Sequence, residues 1–139
     1  MAAAVSVPLP AHALAMDVPR KSELIVSELG DQGYCWVLTD TERAHIATML
    51  ETDVSVINLR GNVMDKERFP CESCGKHSGL DDLVHNALYG GIHSIPFMLG
   101  VLVDGPHGES PAHELVCSRC TTKHKHSARW LPRFMWKWN

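Results

Sequence analysis

A chain of 139 residues, 45% hydrophobic and 21% charged, has the composition of one globular domain, which excludes a disordered or low-complexity chain. No apolar run approaches the ~20 residues of a membrane span; the longest, Ile95–Val103, is far too short. The net charge of −3 is unevenly spread: residues 1–115 carry seven Lys and Arg against sixteen Asp and Glu, whereas residues 116–139 carry six bases and no acid. That asymmetry points to an anionic partner or to docking of a basic segment on an acidic body.

In chain order, residues 1–18 open on an alanine-rich stretch with no positive start, interrupted by Pro8 and Pro10, which predicts a flexible N-terminus and not a secretory signal. Residues 19–66 form a helical and strand subdomain. Leu24, Ile25, Val26 and Leu29 predict a first helix within Pro19–Gly33, stopped by Gly30 and Gly33. Tyr34–Leu38 is rich in strand formers, with Cys35 as a core residue. Thr39 and Glu42 have capping-box spacing and open a helix to about Leu50. Glu51–Gly61 reads as a strand or a short helix; the helical option gives a helix-turn-helix with Ala47 at the crossing and Ile57 as anchor, although Glu51 stands where glycine is usual.

Residues 67–126 form the second subdomain. Its marks are two thiol pairs, Cys71/Cys74 and Cys117/Cys120, with 42 residues between them. Two cysteines spaced by two residues turn both sulfurs toward one point, and a second pair completes a tetrahedron. Pro70 before the first pair and Gly75 after it suit a tight knuckle. The reading is a structural Zn2+ site; an iron–sulfur cluster comes second, then redox or disulfide chemistry, since five cysteines is an odd number and the context is not secretory. Between the pairs, Ser78 caps a helix over 79–91 with Asp81 and Asp82 in its first turn, and Ser94 caps another with Pro96 in its first turn and a stop at Gly105–Pro106. Pro106–His113 is a loop and Glu114–Cys117 a strand. His77, His113, His124 and His126 lie close to the thiols; the reading is solvated polar residues, and the alternative is that one replaces a cysteine or builds a second site.

The order CxxCG, His85–Asn86, Gly90–Gly91, His113 and CxxC resembles the layout of HNH endonucleases, in which thiol pairs bracket a ββα-metal site. The Asp-His pair at the end of the first strand has no counterpart, because Asp82 and His85 are separated, and no catalytic role carries over. Asp104 and His107 flank a turn that Gly-Pro alone explains, and neither a phosphate-binding glycine loop nor a nucleophile elbow is found.

Residues 127–139 are a basic aromatic tail. With the preceding turn and strand they gather Arg119, Lys123, Lys125, Arg129, Trp130, Arg133, Trp136 and Trp138, cations for phosphates and rings for stacking on bases. Packing of the tail on the body is the competing expectation. The sequence therefore predicts a small, helix-rich single α+β domain, with a four-cysteine zinc site of treble-clef or zinc-ribbon kind and short strands. Its expected role is that of a non-enzymatic, cytoplasmic or nuclear regulatory protein that binds nucleic acid or a protein such as transcription machinery; a small-molecule substrate is not indicated. The alternative is a small enzyme with a structural zinc and a site built on His85, His107 or His113.

Overall fold

A computed structural model describes residues 18–105, 113–131 and 137–138. The chain opens on an antiparallel hairpin of β1 (Glu23–Val26) and β2 (Gln32–Val37); β2 covers most of the strand expected at Tyr34–Leu38, whereas β1 lies where the sequence predicts a helix. Three adjacent apolar residues, two of them β-branched, suit a strand as well as a helix. The turn decides between them: the Ser27 amide donates to Asp31 O at 2.8 Å, that of Gly30 to Ser27 O at 3.0 Å, and Gly30 takes φ 87°. Leu29, which the helical reading places on an apolar face, is 91% exposed at the turn tip.

Helix α1 (Asp40–Met49) follows, with the predicted capping box in place: Thr39 Oγ1 accepts from the Glu42 amide at 3.1 Å, and Glu42 Oε1 from the Thr39 amide at 3.0 Å. Ile46, Ala47 and Leu50 are buried. The helix-turn-helix expectation fails after α1. Glu51 does take a left-handed φ of 56°, but the chain then makes only one 3-10 turn, Val54–Val56, before strand β3 (Leu59–Met64). Ile57, the expected anchor of a recognition helix, is fully buried in the domain's own core. The segment is drawn into the sheet, where β3 pairs antiparallel with β2 and Tyr34 faces Met64. Gly61 permits this approach, since a Cβ there would lie 2.5 Å from Trp36 O.

Helices α2 (Leu80–Tyr89) and α3 (Ile95–Asp104) form as predicted, and Ser94 caps α3 by accepting from the Phe97 amide at 3.3 Å. The cap of α2 differs. Its N-cap is Gly79, whose amide donates to the Asp82 carboxylate at 3.2 Å, while the Ser78 hydroxyl turns back to accept from Phe69 N at 3.2 Å. Strands β4 (His113–Val116) and β5 (Lys123–Ala128) make a second, two-stranded antiparallel sheet. The predicted loop from Pro106 lies outside the described residues up to 112. Beyond β5 the chain returns to the first sheet: Trp130 bridges Met64, the Leu131 amide donates to Val63 O at 2.9 Å, and β6 (Lys137–Trp138) pairs with β3.

The first sheet therefore runs β1-β2-β3-β6. The three helices contribute Ile46, Leu50, Leu80, Val84 and Leu102 to a core shared with Trp36 and Met64 of that sheet and with Leu115 and Trp130. Cys35 is fully buried with Val63 and Leu131 in a smaller cluster, a core residue as expected. Among the described residues, the result is a small mixed α+β domain of three helices and two antiparallel sheets. Among the described residues, no helix is long and apolar enough to cross a membrane.

Candidate metal centre

Two turns face each other across the ends of the second sheet and the start of α2. In the first, the Cys71 amide donates to Lys76 O at 2.8 Å and the Gly75 amide to Cys71 O at 2.9 Å; in the second, the Cys117 amide donates to Thr122 O and that of Thr121 to Cys117 O, both at 2.9 Å. One hydrogen-bond plan is thus used twice, and the residue after each second cysteine takes a left-handed φ, 82° at Gly75 and 65° at Thr121. Such a turn aims both thiols of a pair at one point, and the amides of Cys120 and Arg119 point at the Cys117 sulfur.

The sulfurs of Cys71 and Cys120 lie 3.6 Å apart, as do those of Cys74 and Cys117, and all four lie within 4.8 Å of one another. A tetrahedral ion with metal–sulfur bonds of ~2.3 Å needs edges of about 3.8 Å. The four residues together therefore fit one metal ion, and among the described residues they are the cluster of His, Cys, Asp and Glu that could hold one. Cys71 and Cys117 are buried, and Cys74 and Cys120 are partly exposed. The Thr122 hydroxyl beside Cys120 brings that thiol down to about 6, a value at which it readily becomes a thiolate ligand, whereas burial pushes Cys117 up. At the rim, Thr122 Oγ1 and Ser73 Oγ join the two turns at 3.0 Å.

Behind the thiols lies a cluster of buried charges that the sequence does not announce. Lys76 Nζ donates to Asp81 Oδ1 at 3.0 Å, to Asp82 Oδ1 at 3.2 Å and to His77 O at 3.0 Å. Burial opposes the Lys76 charge, but Asp81, Asp82 and Glu42 outweigh it and hold the ammonium above its ordinary pKa. Asp82, itself fully buried, would be raised by desolvation, yet Lys76, His124 and Ser118 hold it well below the usual carboxylate range. Asp81 Oδ2 lies 2.9 Å from Nδ1 of buried His45. His124, read from sequence as solvated, is 5% exposed, because its ring packs against Phe69 at 5.1 Å with Nε2 3.8 Å from Asp82 Oδ2. No sequence signal separates Asp81 and Asp82 from ordinary helix-start acids; burial alone makes them unusual.

The residues expected to meet a partner are distributed as follows. Lys123 and Lys125 stand on β5, 63% and 70% exposed, and pair with Glu114 at 3.0 Å and Glu72 at 2.9 Å. Arg119 lies in the second turn and Arg129 is exposed just past β5. Trp130 is buried at 9% exposure in the main core. Arg133 and Trp136 lie outside the described residues, and Trp138 is placed by its backbone in β6. Of the histidines considered for catalysis, His85 is on α2, with Nδ1 buried and unpartnered and burial lowering its pKa below the ordinary imidazole value. His113 starts β4, and His107 is outside the described residues.

Over residues 20–137 the chain matches the family described as "Domain of unknown function (DUF8243)", and it belongs to that family. No curated protein and no solved structure matches it.

Proposed function

We propose that this chain is a non-enzymatic binding protein whose shape is held by a structural zinc ion on Cys71, Cys74, Cys117 and Cys120. The observation that carries this reading is the meeting of four sulfurs within 4.8 Å from two turns of one design. Four thiolates favour zinc over harder cations and leave no coordination position open, so the ion acts on shape and not on substrate. The second turn sits between paired strands and the first on a bridge between Pro70 and His77, which supports the reading of a site of zinc-ribbon or treble-clef kind. Reduced thiolates suit a cytoplasmic or nuclear setting.

The partner in this reading is nucleic acid, met by Arg119, Lys123, Lys125 and Arg129 on and beside β5. The ion pairs of Lys123 and Lys125 are well exposed and exchange readily for phosphates. The test is metal analysis of purified protein, followed by anisotropy titration of labelled single-stranded and duplex oligonucleotides over a salt series. One zinc per chain is expected, with affinity that falls as salt rises and a slope reduced by about 0.7–0.9 for each cation removed in Lys123→Ala, Lys125→Ala and Arg129→Ala. Absence of salt-dependent binding, or capture of a protein partner unaffected by these substitutions, removes the nucleic-acid reading. Absence of metal removes the zinc reading.

A further inference from the structure

We infer that Asp82 is a positioning residue for the metal centre, which fastens the two cysteine turns together before any ion arrives; this rests on the metal reading above. One oxygen, Oδ1, does the joining. It accepts from the Ser118 amide, inside the second turn, at 2.8 Å, and from Lys76 Nζ, at the close of the first turn, at 3.2 Å. The other oxygen accepts from the Gly79 amide at 3.2 Å and so ties both turns to the start of α2. Asp82 is fully buried and Lys76 is 5% exposed, so neither contact competes with water. The turns are 42 residues apart in sequence, and joining them without metal removes a large part of the chain entropy that an ion would otherwise have to overcome on binding.

The carboxylate has two effects of opposite sign. Its negative charge near a cluster of thiolates disfavours their ionisation, which weakens metal binding; its hydrogen bonds hold the second turn in place, which strengthens it. In Asp82→Asn the charge is removed and one acceptor oxygen becomes an NH2 donor, which faces either the Gly79 amide or the Ser118 amide and Lys76 ammonium; at least one tie is lost, so the sign of the change separates the two effects. If positioning dominates, zinc affinity falls by about 10- to 100-fold, the usual effect of removing a group that orients metal ligands.

The experiment is competition of wild-type protein, Asp82→Asn and Leu29→Ala, a change at the 91% exposed hairpin tip, against a chromogenic zinc chelator. With it goes amide hydrogen exchange at Ser118 in chelated, metal-free wild-type protein. The exchange measurement needs no variant and stands even if Asp82→Asn fails to fold. Expected are weaker binding by Asp82→Asn, unchanged binding by the hairpin-tip variant Leu29→Ala, and a Ser118 amide that stays protected without metal. Equal or tighter binding by folded Asp82→Asn, or a Ser118 amide that exchanges freely once metal is removed, overturns the inference and leaves the zinc reading intact. Wild-type protein that takes up no zinc removes the zinc reading and the positioning role with it, even where a protected Ser118 amide shows that Asp82 still joins the turns.

Discussion

Arg68 donates from Nη1 to Oε2 of Glu42 at 2.9 Å, with only 4% and 8% of the two side chains exposed. The same guanidinium donates to Ser78 O at 2.9 Å and to Val37 O, so one side chain joins α1, β2 and the segment leading into α2. Removing one member of a buried pair strands the other, which costs about 3–5 kcal/mol. Arg68→Met should lose that much in urea unfolding, and Arg68→Met/Glu42→Gln should lose no more than the single variant. A loss below about 1 kcal/mol for Arg68→Met would show that the pair contributes like an exposed one.

Two glycines near these helices make opposite predictions. A Cβ at Gly79 would lie 2.0 Å from Glu42 Oε2, and Glu42 is pinned by Arg68 and by the Thr39 amide. Gly79→Ala should therefore cost about 1–3 kcal/mol through overpacking. Gly100 lies within α3 with nothing inside 4 Å of the corresponding Cβ, so Gly100→Ala should stabilise by about 0.5–1 kcal/mol. Thermal melts of the two variants should move in opposite directions, and a shared direction contradicts the packing described.

Local chemistry explains which parts of this structure the sequence could reveal. The Thr39–Glu42 box, the Ser94 cap and the paired CxxC turns are each set by residues a few positions apart, and each is found where expected. Strand β2 is legible in its run of strand formers, but β1 is hidden because pairing with β2 fixes it, while Leu29 at the turn tip mimics a helix face. The segment after α1 carries the apolar spacing of a recognition helix, but its fate also rests on sheet pairing. The charges of Lys76, Asp81 and Asp82 are invisible for a different reason: any pattern rule places such residues in water, and only the meeting of three segments buries them.

Arg60 on β3 reaches across β2 to Glu23 on β1, with Nη1 2.7 Å from Oε1. The hydrogen bond from Arg60 holds the Glu23 carboxyl below its ordinary value of 4.5. A lowered carboxylate stabilises the fold above its unfolded pKa and loses that contribution as pH falls through the lower folded value. Glu23→Gln should thus be less stable than wild type at neutral pH, by less than about 1 kcal/mol because the pair is a third exposed. The difference should close as the urea midpoint is followed into acid below 4.5. A gap that persists or widens there would assign the effect to packing and not to charge.

The two cysteine turns invite an exchange of their residues. Gly75 and Thr121 hold the same place, with φ of 82° and 65°, but only glycine adopts this region without a steric penalty. A β-branched residue there costs about 1–2 kcal/mol. The backbone bonds of the second turn, Thr121 N to Cys117 O and Cys117 N to Thr122 O, do not involve the Thr121 side chain. Thr121→Gly should accordingly stabilise the zinc-loaded protein by about 1 kcal/mol, less the entropy glycine adds to the unfolded chain, while Gly75→Thr should destabilise it by a similar amount. Paired melts in excess zinc measure both. Destabilisation by Thr121→Gly would mean that the threonine side chain supports the second turn by more than its backbone conformation costs.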